Sequence, residues 1–219
     1  MVGFFDSGVG GKCVLKAFKN LCPEVSTVYL ADTENCPYGN KTKAEIIELS
    51  DRCVKKLLAK KVSLIVIACN TATACAIKYL RSKYPEVTFV GMEPAVKPAC
   101  LTTKTGIVAI LATRGTFSGE DHYRLTCERY AKGVKVIAAL ADEFVGLVES
   151  GELEGERAEN IVREKIEPLI ASGADRIVLG CTHFPHLIKL ITKVVAGRAE
   201  IIDSTQAVAL RIKHLLESK

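Results

Sequence analysis

Leu64-Ile65-Val66-Ile67-Ala68-Cys69-Asn70-Thr71-Ala72 is the stretch that decides the fold. An apolar run with no polar break leads straight into a cysteine. Such a run reads as a strand covered on both faces, the habit of a parallel sheet between helix layers. Asn70 and Thr71 are helix-capping residue types, and a helical pattern through Ala76, Ile77 and Leu80 follows. Cys69 is therefore expected at the carboxyl end of a strand, where a helix begins. In open α/β sheets that crevice is where ligands bind.

The same order of residue types returns 112 positions later, in Ile177-Val178-Leu179-Gly180-Cys181-Thr182-His183. Val2-Gly3-Phe4-Phe5-Asp6-Ser7-Gly8 is echoed by Ile107-Val108-Ala109-Ile110-Leu111-Ala112-Thr113 at an offset of about 105. Two similar halves are expected, each with a cysteine at a matching place. A site between them would hold two thiols facing one another.

The 219 residues allow one large α/β domain or two small ones. Lys and Arg are spread along helical segments, so the net charge of +5 reads as a solvated surface and not as a nucleic-acid interface. No apolar run reaches the ~18 residues of a membrane span. The first residues enter a strand without a signal-peptide pattern, and a cytoplasmic protein is expected. Nine cysteines without C-x-x-C spacing argue against a zinc site. In a reducing compartment they stay free. Cys13, Cys22, Cys53, Cys75, Cys100 and Cys127 fall in helical patterns as small apolar residues, whereas Cys36 lies in a loop.

Strands alternate with helices along the whole chain, which predicts mostly parallel sheets flanked by helices. Asp6 ends the first strand at the level of Cys69, ahead of the turn Ser7-Gly8-Val9-Gly10-Gly11. Asp32 ends the second. The loop Cys36-Pro37-Tyr38-Gly39 follows, and Thr42-x-x-Glu45 is a capping box. Pro94 and Pro98 mark a change of direction, and the boundary is placed there: 1–94 in a first domain, 95–203 in a second.

Phe5-Asp6-Ser7-Gly8-Val9-Gly10-Gly11, Cys36-Pro37-Tyr38-Gly39, Ala68-Cys69-Asn70-Thr71-Ala72 and Leu179-Gly180-Cys181-Thr182-His183-Phe184-Pro185 resemble, in order, the signature segments of the glutamate racemases. Leu147-Val148-Glu149 matches a fifth. The resemblance implies two α/β domains with the active site in the cleft between them, and a last helix, 204–219, that returns to the first domain. It implies L-/D-glutamate as substrate, no cofactor, no metal, no nucleic-acid or membrane partner, a homodimer, and supply of D-glutamate for peptidoglycan. Most members carry tyrosine at the place of Phe184 and continue through a further strand and helix after the equivalent of Leu216.

Inverting an amino acid means removing the Cα proton on one face and delivering another on the opposite face. Two cysteines suit this, because thiol and thiolate exchange roles at each turnover. Cys69 and Cys181 are the expected bases, Cys69 acting on D-glutamate and Cys181 on L-glutamate by resemblance. Helix N-termini at both would favour thiolate. Asp6 and His183 are expected to assist proton transfer. Asp6, Ser7, Pro37, Tyr38, Gly39, Asn70, Thr71, Thr116, Thr182 and His183 are expected to hold the substrate, with Asp32 and Glu149 behind them. The other readings are a racemase of aspartate or a hydantoin, a non-catalytic two-lobed amino-acid binding module, and a pyridoxal-phosphate enzyme, for which no lysine stands in a recognisable site.

Overall fold

The computed structural model describes residues 1–119 and 121–218. Lys219, the last residue of the segment expected to return to the first domain, lies outside them.

Two four-stranded sheets, parallel throughout, are built to one plan. Strands β1 (Val2–Asp6), β2 (Thr27–Ala31), β3 (Leu64–Ile67) and β4 (Thr88–Gly91) lie in the order β2-β1-β3-β4. Strands β5 (Ile107–Ala112), β6 (Lys135–Leu140), β7 (Arg176–Leu179) and β8 (Glu200–Ile202) repeat it as β6-β5-β7-β8. The central strands are the apolar runs of the sequence, and β1, β3 and β7 are buried at every residue. Parallel strands need crossovers, and here helices supply them on both faces.

In the first half, α2 (Lys43–Leu58) and α3 (Asn70–Lys83) cover one face, packing Ile46, Val54 and Leu80 on Phe5, Ile65 and Ile67. On the other face α1 (Lys12–Leu21) places Val14 and Phe18 on Phe4 and Val66. The last helix, α10 (Thr205–Glu217), joins α1 there through Val208, Ala209 and Ile212. In the second half α7 (Asp142–Glu149), α8 (Glu156–Ala171) and α9 (Ile188–Val195) cover one face of the sheet. The other face carries α4 (Val96–Thr102) and α6 (Asp121–Tyr130), with the short α5 (Arg114–Ser118) after β5. The capping box at Thr42 and Glu45 forms as expected. Phe184 is fully buried and meets Phe144 edge to face at 5.2 Å.

Three local expectations change. The cap of α3 is Cys69, whose sulfur accepts from the Ala72 amide at 3.4 Å, while Asn70 and Thr71 are already helical. Cys181 does not open an α-helix: a turn and a 3-10 segment, Phe184–Leu187, come between it and α9. Pro98 sits in the first turn of α4, where a missing N–H costs nothing. Among the described residues no helix is long and apolar enough to cross a membrane.

Candidate active site

Because β1 and β5 are equivalent in their sheets, and β3 and β7 likewise, the carboxyl ends of four central strands carry the expected residues. Ile67 pairs with Phe5, so the chain leaving β3 reaches Cys69 beside Asp6. The Asp6 carboxylate is fully buried and heavily committed. One oxygen accepts from the Gly8 amide at 3.2 Å and the Ser7 hydroxyl at 3.1 Å. The other accepts from the Gly11 amide and, at 3.0 Å, from the Thr182 hydroxyl of the opposite half. Burial still raises its pKa, although the charge of His183 and these donors pull it down.

Cys69 is 5 % exposed, its sulfur 3.7 Å from the Ser7 hydroxyl. Burial pushes its thiol well above the usual range, the Asp6 and Cys181 charges add to this, and the Ala72 N–H only partly opposes it. The expected thiolate-favouring helix terminus is present but outweighed, because desolvation of a buried anion exceeds what one amide returns.

In the other half Cys181 is 7 % exposed, and its sulfur lies 3.7 Å from His183 Nδ1. The far side of that ring, Nε2, meets Glu149 Oε1 at 2.5 Å. The same oxygen accepts from the Val9 amide at 2.9 Å, tying the chain after β1 to the end of α7. Burial opposes charge on His183, but its contacts with Cys181, Cys36 and Glu149 win and hold its pKa well above the ordinary value.

Around these lie the remaining expected residues. Thr71, Thr113 and Thr116 form a buried hydroxyl triangle across the halves, with 2.8, 3.2 and 3.0 Å between oxygens. Gly39 packs on Thr113 and Gly115 so closely that a Cβ there would lie 3.1 Å from Thr113 Cβ. The buried Tyr38 donates to Asp32 at 2.6 Å. Pro37 is exposed and starts the short turn Tyr38–Asn40. Asn70 is 2 % exposed, and its side-chain NH2 has no hydrogen-bond partner among the described residues. An unsatisfied buried donor costs about 1–3 kcal/mol, so one persisting beside a cysteine points to a group it is kept for.

The Asp/Glu/hydantoin racemase family model matches residues 12–212. This chain belongs to that family. A glutamate racemase of Herpetosiphon aurantiacus is 46% identical over 98% of this chain and 84% of its own length. The Escherichia coli glutamate racemase, solved with L-glutamate and the activator UDP-MurNAc-Ala, superposes with a TM-score of 0.89 at 34% identity. It is matched over 99% of this chain and 82% of its own. The Francisella tularensis enzyme, solved with D-glutamate, gives 0.85 at 26% identity over 99% of this chain and 80% of its own. The protein is accordingly an isomerase, a racemase.

Sequence reasoning missed three parts of the candidate site. Thr113 stands out in the sequence only as the end of the repeated stretch, yet it caps α5 and completes the hydroxyl triangle. Val9 contributes through its backbone amide, which no side-chain pattern reveals. Cys36 approaches Glu149 and His183, and only its place in a motif loop set it apart from the other unassigned cysteines.

The His183–Glu149 pair fixes a pH dependence. The raised His183 pKa means its share of stability is complete below ~6.5, the free histidine value, and fades as pH rises through the folded value. Glu149 is lowered, first by its contact with His183, so its share is present above the ordinary 4.5 and fades as pH falls through the depressed value. Glu149→Gln removes the anion and should move the His183 titration, followed by ring NMR signals, to lower pH. An unmoved midpoint would show that the carboxylate does not hold the imidazolium.

Proposed function

We propose that this racemase interconverts L- and D-glutamate by moving the Cα proton between Cys69 and Cys181. The observation that carries the reading is the paired arrangement of buried thiols. Each follows the equivalent strand of its sheet, each has an ionisable neighbour, and the Asp6–Thr182 hydrogen bond joins the two sides. In this reading residues 1–94 with 204–219 form one domain and 95–203 the other, with substrate between them. The packing of α10 on α1 supports that division.

Glutamate's Cα carries an ammonium, two carboxylates must be held, and the reacting hydrogen must face one sulfur. The Asn70 side-chain NH2 and the Thr71, Thr113 and Thr116 hydroxyls are donors suited to carboxylates, and Ser7, Tyr38, Gly39 and Thr182 frame the rest. The ammonium brings positive charge beside Cys69, which lowers the thiol that burial has raised. The Cys69 thiolate then takes the Cα proton of D-glutamate, leaving a planar carbanion. The Cys181 thiol protonates its opposite face to give L-glutamate and is left as thiolate. The reverse reaction starts from that thiolate. Asp6 serves the first sulfur, and the His183–Glu149 pair serves the second by supplying or accepting its proton. The choice of glutamate rests on what the similar enzymes bind. The product's use in peptidoglycan and a dimeric state belong to the same reading.

In heavy water, incubation with L-glutamate should place deuterium at Cα and yield the D-enantiomer. Exchange of aspartate in preference to glutamate would reassign the substrate. Glutamate binding with no exchange would reduce the protein to a binding module.

A further inference from the structure

Cys36 Sγ, a Glu149 carboxylate oxygen and a His183 ring nitrogen lie within 4.8 Å of one another. They arrive from three places: the loop after β2, the end of α7 and the turn after β7. The chain after β1 leaves the space open by being glycine. A Cβ at Gly8 would sit 3.0 Å from Cys36 Sγ and collide with the Glu149 carboxylate. Cys36 is half-buried and Glu149 is on an exposed helix end, so the group can be reached from solvent.

Thiolate, imidazole and carboxylate together are a ligand set for borderline divalent transition metals, zinc foremost. One thiolate and one carboxylate balance the charge of the ion. Zinc bonds of about 2.0–2.3 Å place tetrahedral ligands roughly 3.3–3.8 Å apart. The three donors reach that spacing by side-chain shifts of about 1 Å, the His183–Glu149 contact opening as they do.

We propose that Cys36, Glu149 and His183 form a binding site for a divalent zinc-class ion, with water in the fourth position, and that its occupation switches the racemase off. On binding, the Cys36 thiol and the imidazole Nε2 each release a proton to solvent. Sulfur, Nε2 and a carboxylate oxygen each donate an electron pair, and nothing is oxidised or reduced. The ion takes the nitrogen through which His183 meets Glu149, leaving Nδ1 with its single proton toward Cys181. The ring then has no second proton to trade. The inhibitory half of the proposal rests on the role of His183 in the proposed mechanism, whereas the binding half does not.

Cobalt(II), added to the full chain kept reduced with a phosphine, is the probe. A thiolate-to-cobalt charge-transfer band should appear with the unmodified chain and with Cys69→Ser and Cys181→Ser, and should vanish in both Cys36→Ser and Cys36→Ala. No band with the unmodified chain, a band surviving loss of Cys36, or loss of the band in either of the other variants would overturn the site. Zinc should inhibit turnover, with the half-inhibiting concentration at least about tenfold higher in Cys36→Ser. Inhibition unchanged by that substitution would overturn the switch. The band is read without turnover, so a chain that shows it but racemises nothing would sink the racemase reading and leave the metal site standing.

Discussion

Replacing either Cys69 or Cys181 by alanine should abolish racemisation, with turnover falling at least about 10²–10⁴-fold, the contribution of one positioned acid–base group. The two losses should be similar, because inversion needs a proton removed on one face and delivered on the other. Neither substitution should unfold the chain. Both side chains are small, and Cys69→Ala gives up the sulfur's contact with Ser7 and its acceptor role at the start of α3, the latter about 1 kcal/mol as helix caps go. Thermal unfolding checks that point while racemisation is followed by polarimetry. Heavy water separates the sides. With Cys181 gone, the remaining sulfur should still exchange the Cα proton of D-glutamate without inverting it. Full activity in either variant would remove that cysteine from the mechanism.

Gly10→Ala should be nearly as damaging, although Gly10 bears no reactive group. A Cβ there would lie 2.6 Å from His183 Nδ1, the atom that faces Cys181, and 2.8 Å from both the His183 amide and Thr182 Oγ1. One of those three neighbours, the His183 amide, is backbone and can move only with the turn that carries Cys181. The accommodation must therefore push the Asp6 loop away from that turn, disturbing the Asp6–Thr182 hydrogen bond. Displacement of reacting groups by about 1 Å is enough for a ~10²-fold loss in rate, and overpacking costs roughly 1–3 kcal/mol of stability. Gly146→Ala is the control. It lies within α7 with open space where its Cβ would go, so it should gain about 0.5–1 kcal/mol in urea unfolding and leave the rate alone. A Gly10→Ala variant with unimpaired turnover would mean that the two halves need not meet this closely during catalysis.

The repeated phrase of apolar run, small residue and cysteine was sufficient to place both sulfurs at strand ends, because strand and turn formation depend on sterics and burial within a few residues. The Thr42–Glu45 capping box was legible for the same reason. Helix α6 was not. Few apolar residues mark Asp121–Tyr130, and its place depends on Tyr123 and Cys127 meeting a surface made elsewhere. Nor could local pattern tell that Cys69 itself would cap α3 or that a 3-10 segment would follow Cys181.

By itself, the order of residues determined the layered α/β halves, the pairing of β1 with β5 and β3 with β7 in the repeat, and which cysteines end strands. Tertiary structure alone decided that Asp6 meets Thr182, that Thr71 joins Thr113 and Thr116, and that Glu149 grips His183. These partners are 34 to 176 positions apart in the chain; the docking of the halves joins the first three pairs, and the packing of α7 against the turn after β7 joins Glu149 to His183. Burial in the folded chain removes water from Asp6 and Cys69, and that desolvation, invisible in any run of letters, sets how readily each can carry charge.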